Sequence, residues 1–326
     1  MIPAGLPSDG LLVAVDWSWW ANMAYHAAGG ADGMLSILVG RFVELLRGEA
    51  PSHLVVCVDS VGKTWRHDAY PEYKAGREPK PPEFFDACER ALEIVRLHAV
   101  PILDAEGYEA DDVFAALVER ATADGLLVAL LACDKDLAQL VDPAVCLWDG
   151  ADRVRWAGDV QEQFGVAPPQ IPDFLAIVGD AGDNVPGVPK LGKVAASAIL
   201  AAHWSVEQAL DAPIPEALND RQVAALQRKV KAGGATEVDL LNARSARTMA
   251  GYLGKLQAAR EQVLASKALT TLRRDAPIAW DAQQAAVGGY DVDALRETYR
   301  GLGWSRLAAD VRPCEKAPWR LPGEEG

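Results

Sequence analysis

The sequence predicts an α/β fold with a mainly parallel, buried sheet, followed by a second region that is helical. Four Val- and Leu-rich runs, at residues 11–15, 54–58, 100–103 and 126–133, each lead directly into an aspartate. Helix-like stretches at 35–47, 82–97 and 111–123 separate them. Runs that are apolar on both faces and alternate with helices belong to a parallel sheet covered on both sides. After about residue 170 no further strand pattern appears and helical periodicity takes over.

Taken in order, the first run ends at Asp16 and the second at Asp59. A basic and aromatic stretch from 63 to 80 comes next, then the helix at 82–97 and the third run. E-A-D-D, with Glu109, Asp111 and Asp112, opens the helix at 111–123, and the fourth run leads into C-D-K-D, with Asp134 and Asp136. Helical patterns at 171–178 and 193–202 flank a Gly/Pro-punctuated segment, 179–192, that contains Asp180 and Asp183. In open α/β sheets ligands sit beyond the carboxyl ends of the strands, where most of these acids fall.

At 326 residues the chain is about twice the ~150 residues usual for one domain, so it has length for a sizeable core. Half of it is hydrophobic and 24% charged, which excludes disorder and collagen-like order. Acids interrupt every apolar stretch well short of a membrane span, and no basic segment precedes the first apolar run, so neither an anchor nor a signal peptide is expected. Cys57, Cys88, Cys133, Cys146 and Cys314 are odd in number and form no CxxC; they are expected to be reduced, mostly buried thiols in a cytoplasmic setting. With 46 acidic against 32 basic residues the net charge is −14, which taken alone argues against a nucleic-acid partner. The charge is uneven, however: residues 221–274 carry eleven bases and three acids.

Singly, each strand-end acid has a plain explanation as a turn residue or helix cap. Together, nine carboxylates converging on one sheet edge would repel severely without a counter-charge. Oxygen donors without a paired His or Cys set favour Mg²⁺ or Mn²⁺ over zinc. Two such ions can clamp the attacking and leaving oxygens of a phosphodiester. Setting the nine aside leaves 37 acids against 32 bases, so much of the apparent hostility to a polyanion is concentrated where metal would neutralise it.

The strings Y-E-A-D-D-V from Tyr108, D-K-D-L-A-Q-L from Asp134 and G-D-A-G-D-N-V-P-G-V from Gly179 resemble the 5′-nuclease family. That family includes the 5′–3′ exonuclease domain of bacterial DNA polymerase I, phage 5′ exonucleases and flap endonucleases. T-W-R-H-D-A-Y-P-E-Y-K-A-G-R from Thr64 is similar to its arch-forming region. The resemblance covers roughly residues 11 to 310. It implies a PIN-like sheet with flanking helices in a catalytic domain, 1–170, with an arch at about 63–98. A helical, DNA-binding helix–three-turn–helix region, 171–312, and a flexible tail, 313–326, would follow. No polymerase-like segment follows within the 326 residues, so a stand-alone member is expected.

Carried over position by position, the resemblance implies one metal site around Asp16, Asp59, Glu109 and Asp111. It implies a second using Asp134, Asp136, Asp180 and Asp183, with Asp112 acting through water. Lys74 and Arg77 would stabilise developing phosphate charge; Arg66 would lie near the substrate strand and Tyr73 could stack on a base. In V-P-G-V-P-K-L-G-K, Gly187 and Gly192 would let backbone N–H groups approach a duplex phosphate, with Lys190 and Lys193 adding charge. The resemblance allows a K⁺ at this turn, and the residues speak neither for nor against it.

Two departures stand out. Relatives carry D-G and a basic residue six places on, whereas this chain has Trp17 and Met23 at those positions, although His26 is kept. Trp19 and Trp20 are better explained as helix packing than as base stacking. The stretch 213–255 is longer than in relatives and reads either as a solvated basic linker around Gly233 and Gly234 or as extra duplex contact.

The expected activity is Mg²⁺-dependent, structure-selective 5′–3′ exonuclease or flap-endonuclease cleavage of DNA in replication or repair, leaving 5′-phosphates, with Mn²⁺ able to substitute. The expected partners are DNA with a 5′ flap or 5′ end and a separate DNA polymerase; the protein would be monomeric. The alternative is a flap-binding protein whose catalysis Trp17 and Met23 have weakened. A PIN-type ribonuclease is disfavoured by the Gly179 motif, and a small-molecule phosphohydrolase by the basic window.

Overall fold

The computed structural model describes residues 2–3, 5–47 and 50–316, which form two compact units. The first comprises the residues up to 69, 78–157 and those from 272 onward; the second comprises 70–77 and 158–271.

The first unit is built on a six-stranded sheet. In chain order its elements are β1 (Leu11–Asp16), α1 (Trp17–Ala28), α2 (Met34–Leu45), β2 (His53–Cys57), α3 (Trp65–Ala69), α4 (Pro82–Leu97) and β3 (Ile102–Leu103). They continue with α5 (Ala110–Ala123), β4 (Leu127–Leu131), β5 (Val145–Trp148) and β6 (Val154–Arg155). The strand order is β3-β2-β1-β4-β5-β6, parallel throughout except for β6, which pairs antiparallel with β5. Every residue of β1 and β2 is buried, as expected for central strands covered on both faces. Against them pack Trp20, Leu38, Phe42 and Ile94 from α1, α2 and α4. Burying each such side chain is worth about 1.5–3 kcal/mol.

The order of strands decides where a site can form. From β1 the chain winds outward through β2 and β3, then returns to place β4 on the other side of β1. The crevice at the carboxyl ends of β1 and β4 is therefore the topological switch point. Asp16 closes β1, in register with Cys57 of β2, and Val15 sits opposite Leu131 at the end of β4.

In the second unit α6 (Ala157–Phe164) and a 3-10 turn, Pro168–Gln170, lead to α7 (Ile171–Val178), buried over nearly its whole length. Then come α8 (Lys193–His203), α9 (Val206–Asp211), α10 (Asp220–Lys231), α11 (Glu237–Ala258) and α12 (Arg260–Thr270). Lys267 of α12 reaches both Asp173 and Glu207 at 2.7 Å, and Asp173 accepts from Val206 N–H at 2.7 Å. One lysine thus ties α7, α9 and α12 together.

From residue 272 the chain rejoins the first unit through α13 (Ala282–Ala285), α14 (Val292–Gly301) and α15 (Ser305–Asp310). The sequence reading placed 272–312 with the helical region; the structure instead buries Leu295 and Tyr299 in the core beside the sheet. Of the expected tail, 317–326 lie outside the described residues. Residues 313–316 are held by Gly289 N–H on Cys314 O at 2.7 Å and Lys316 Nζ on Gln284 O at 2.6 Å. Helix α1 and the edge strands β5 and β6 lie outside the predicted elements. No described helix is long and apolar enough to cross a membrane. The five cysteines are unpaired; Cys57 and Cys146 are buried as expected, but Cys133 and Cys314 are exposed.

Candidate active site

Six of the predicted acids lie on the carboxyl edge of the sheet. Asp16 is the N-cap of α1, its Oδ1 accepting from Trp19 N–H at 2.9 Å. Asp59 spans two helix starts: Oδ1 accepts from Ala110 N–H at 2.9 Å and Oδ2 from Ser18 Oγ at 2.6 Å. Glu109 is the N-cap of α5 and Asp111 lies in its first turn. Beyond β4, Asp134 Oδ1 accepts from Asp136 N–H at 2.8 Å, and Asp136 opens a short 3-10 helix, Asp136–Leu140. Burial, with Asp59 and Asp134 as nearby like charges, pushes the Asp16 carboxyl up to about 7.

This donor set fits a hard divalent cation. It is all oxygen, sits at a switch point, and contains a buried carboxylate whose ionisation its surroundings oppose until positive charge arrives. Asp16, Asp59, Glu109, Asp111, Asp134 and Asp136 are the residues of this unit that would hold it.

Asp112 and Arg66 have a different place. Asp112 is fully buried, and it takes Arg66 Nη1 and Nη2 on its two oxygens at 2.7 and 2.9 Å. Trp65 Nε1 at 2.9 Å and Arg273 N–H at 2.8 Å complete its shell. Arg66, 2% exposed, also donates to Glu109 Oε2 at 3.0 Å. The guanidinium groups of Arg66 and Arg273 both lie over the Trp65 ring, 4.4 and 4.0 Å from its centroid. The expectation that Arg66 meets the substrate strand is therefore corrected: a buried guanidinium gripping two carboxylates organises the start of α5. Asp112 likewise holds Arg66 instead of presenting a water to a metal. Ser18 was missed by sequence reasoning, although it neighbours Trp17; Trp65 was noted among the aromatics of the 63–80 stretch, but its bond to Asp112 was not foreseen. Arg273, 161 positions from Asp112, carried no local signal.

In the second unit Asp180 and Asp183 lie on a loop closed by paired backbone hydrogen bonds between Asp180 and Val185, both 2.8 Å. Asp180 Oδ1 accepts from Gly182 N–H at 3.0 Å. Asp183 gathers the motif residues of 70–77: Tyr73 Oη donates to Oδ2 at 2.8 Å, Arg77 Nη2 to Oδ1 at 2.6 Å, and Lys74 Nζ lies at 3.8 Å. Burial works to raise the Asp183 carboxyl, but Lys74, Arg77 and the Tyr73 hydroxyl together hold it below the usual value. Tyr73 is only 4% exposed, packed with Val185 and Leu269, so its ring is not presented for stacking as expected. Arg77 remains 56% exposed.

The turn into α8 divides the predicted DNA-binding residues. Lys190, Gly192 and Lys193 are exposed at the N-terminus of α8, whose cap, Gly192, has no side chain to satisfy the first N–H groups. Gly187 serves a tighter purpose than the expected phosphate approach. A Cβ there would stand 2.2 Å from Val178 O, and one on Gly179 2.5 Å from Gly187 N, so the glycines let two backbone strands touch. Of the departures, Trp17 and Trp20 are buried in the core and Met23 packs against it, in keeping with helix packing. His26 is exposed on α1.

A family model described as the 5′–3′ exonuclease N-terminal resolvase-like domain matches residues 12–165, and the 5′–3′ exonuclease C-terminal SAM fold matches 166–293. The chain belongs to the 5′–3′ exonuclease family. Within it, a 5′–3′ exonuclease of Aquifex aeolicus is 41% identical over 167 residues, covering 51% of this chain and 58% of that protein. DNA polymerase I of Bacillus caldotenax is 30% identical over 266 residues, covering 80% of this chain but only 27% of the polymerase. Among solved structures, T5 5′-exonuclease with bound zinc shares the fold at TM-score 0.62 and 19% identity, over 92% of this chain and 98% of that one. The catalytic core of Rad2 in complex with DNA substrate does so at TM-score 0.58 and 15% identity, over 92% and 90%.

Proposed function

We propose that this 5′–3′ exonuclease family member is a structure-selective 5′ nuclease that hydrolyses DNA phosphodiesters at or near 5′ ends, leaving 5′-phosphates. The observation that carries the reading is the row of six carboxylates at the β1/β4 switch point. Mg²⁺, or Mn²⁺ in its place, would supply the positive charge that draws in the phosphodiester and stabilises charge developing on its oxygens. Asp16, Asp59, Glu109, Asp111, Asp134 and Asp136 are the ligands proposed on the sheet edge, and Asp180 and Asp183 are proposed as ligands on the family motif.

The chain's own residues then have distinct tasks. Arg66 and Asp112 fix the start of α5, and with it Glu109 and Asp111. Ser18 orients Asp59 from the first turn of α1. Lys74 and Arg77 lie beside Asp183, where they can meet phosphate charge. Lys190 and Lys193, with the uncapped start of α8, favour a duplex phosphate; a K⁺ at that turn is compatible with this reading.

The substrate is DNA bearing a 5′ flap or 5′ end. The polymerase relatives join the matching region to a much longer chain, and a separate DNA polymerase is the partner proposed here, for a monomeric enzyme acting in the cytoplasm. Incubating the protein with a 5′-flap duplex in Mg²⁺, Mn²⁺ and EDTA tests the proposal. Cleavage with either metal and none in EDTA is expected, and no cleavage with both metals overturns it. The rival reading, a flap-binding protein weakened by Trp17 and Met23, predicts binding without turnover in the same assay.

A further inference from the structure

The stretch 213–255 contains a capped helical hairpin, α10 and α11, in place of a linker. Asn219 caps α10, accepting from Gln222 N–H at 3.0 Å with Gln222 Oε1 returning to Asn219 N–H at 2.8 Å. Thr236 and Asp239 make the same reciprocal pair at the start of α11, at 3.1 and 2.9 Å. Gly233, at φ +76°, supplies the left-handed turn between them. Arg247 and Asp220 join the two helices. A linker has no need of two capping boxes.

The core of the unit does not use α10. No residue of that helix is buried, and Val223, Leu226 and Val230 lie only half-buried, at the i, i+3, i+7 spacing of one face. The opposite face carries Arg221 and Arg228, both exposed. On α11, Arg244, Thr248, Gly251 and Lys255 recur at i, i+4, i+7 and i+11, an exposed stripe facing away from buried Leu253. Arg221, Arg228, Arg244 and Lys255 make no ion pair among the described residues.

Basic residues dominate these faces where the stripe runs. Of 326 residues 46 are acidic, yet 221–236 and 240–260 contain no acid, and the exposed acid on the α11 face, Glu237, lies two turns before Arg244. A helix face kept merely soluble intersperses both signs. The stripe also has a direction. Lys255 lines a concavity of about 700 Å³ together with Val188 and Pro189, the residues that lead into exposed Lys190. Basic character therefore continues from the turn before α8, through Lys255, to Arg244 about 16 Å further along α11. That is about half a turn of duplex, and DNA carries a charge every ~1.7 Å of its axis.

We infer that the α10–α11 hairpin is a second duplex-backbone contact that extends the one at the start of α8, gripping phosphates without reading bases. The inference rests on the proposed nuclease function. It also assigns a use to the basic window, which the cleavage chemistry leaves idle.

The test is the variant R221A/R228A/R244A/K255A, which keeps both capping boxes, the Arg247–Asp220 pair and all proposed ligands. Binding of 5′-flap DNA with long duplex arms is measured by fluorescence anisotropy from about 50 to 200 mM salt. Each lost phosphate contact should reduce the slope of log Kd against log salt by about 0.9, so a reduction of roughly 2 to 4 is expected. Single-turnover cleavage at saturating enzyme should be unchanged. R221K/R228K/R244K should keep the wild-type slope. An unchanged slope on long arms, with wild-type cleavage intact, overturns the hairpin's role alone. Wild-type protein that neither binds nor cuts the flap overturns the nuclease reading itself.

Discussion

Two carboxylate–cation clusters in this protein look alike on paper and differ in burial. In the sheet unit, Asp112 and Glu109 grip Arg66, which is 2% exposed. In the helical unit, Asp183 meets Arg77 and Lys74, which are 56% and 17% exposed. The first has every contact filled from within the protein, so breaking it strands a charge. The second keeps cations at the surface, where they can change partner. An arginine beside an acid is thus a buried scaffold in one place and a solvent-facing group in the other, and only accessibility separates them.

The largest effect should come from breaking the buried cluster. Asp112→Ala leaves Arg66 without its bidentate partner and should cost about 3–5 kcal/mol of folding stability, as removal of one member of a buried pair does. Urea unfolding would measure it. Arg66→Ala should cost a similar amount, and the double variant clearly less than the two together, because the partners act as a unit. Additive losses would show that the pair is not coupled.

Asp183→Asn should invert that outcome. Its cationic partners are reachable by water, so stability should change by under about 1 kcal/mol. Single-turnover cleavage of a 5′-flap substrate should fall by roughly a thousandfold, about 4 kcal/mol in the barrier. Flap binding should persist. Wild-type cleavage by this variant would remove Asp183 from the proposed ligands.

The comparison also explains what was readable in the sequence. Strand-end aspartates were legible because a parallel sheet fixes the edge on which they emerge. The helices at 82–97 and 171–178 were legible because their apolar spacing runs uninterrupted to a proline or glycine boundary. Arg66 and Tyr73 were assigned to DNA because a motif fixes residue type and order and says nothing of accessibility. Arg66 is buried by Glu109 and Asp112, and Tyr73 by Val185 and Leu269, partners between 43 and 196 positions away. Residues 272–312 were misplaced for a related reason: a helical pattern gives no hint of which unit it will join.

The two units should also respond oppositely to pH. Asp16 keeps its proton up to about 7 in the native state, against an ordinary value of 3.8. Between those values the native state binds more protons than the unfolded one, so the stability of metal-free protein should fall as pH rises, by on the order of 4 kcal/mol across that span. Asp183 is held below its ordinary value, so its contribution is present above pH 3.8 and is lost as pH falls through the native value. Urea midpoints in EDTA at pH 5 and 7.5 would show the first effect, and Mg²⁺ should erase it. If Asp16→Asn leaves the pH slope unchanged, the assignment to Asp16 fails.

The smallest effect decides between two uses of one ring. Tyr73→Phe preserves the packing against Val185 and Leu269 and removes only the hydroxyl that donates to Asp183 at 2.8 Å. A typical intramolecular hydrogen bond is worth a net of about 0.5–1.5 kcal/mol, and partial exposure of Asp183 puts this one at the lower end. Acid unfolding should therefore begin at a slightly higher pH in the variant, because the carboxyl loses one of the contacts that hold it ionised. A base-stacking tyrosine would behave differently: phenylalanine stacks as well, so neither stability nor the acid limb would move, while Tyr73→Ala would weaken binding of a single-stranded flap. The acid limb of the Tyr73→Phe stability curve thus separates a residue that positions Asp183 from one that touches DNA.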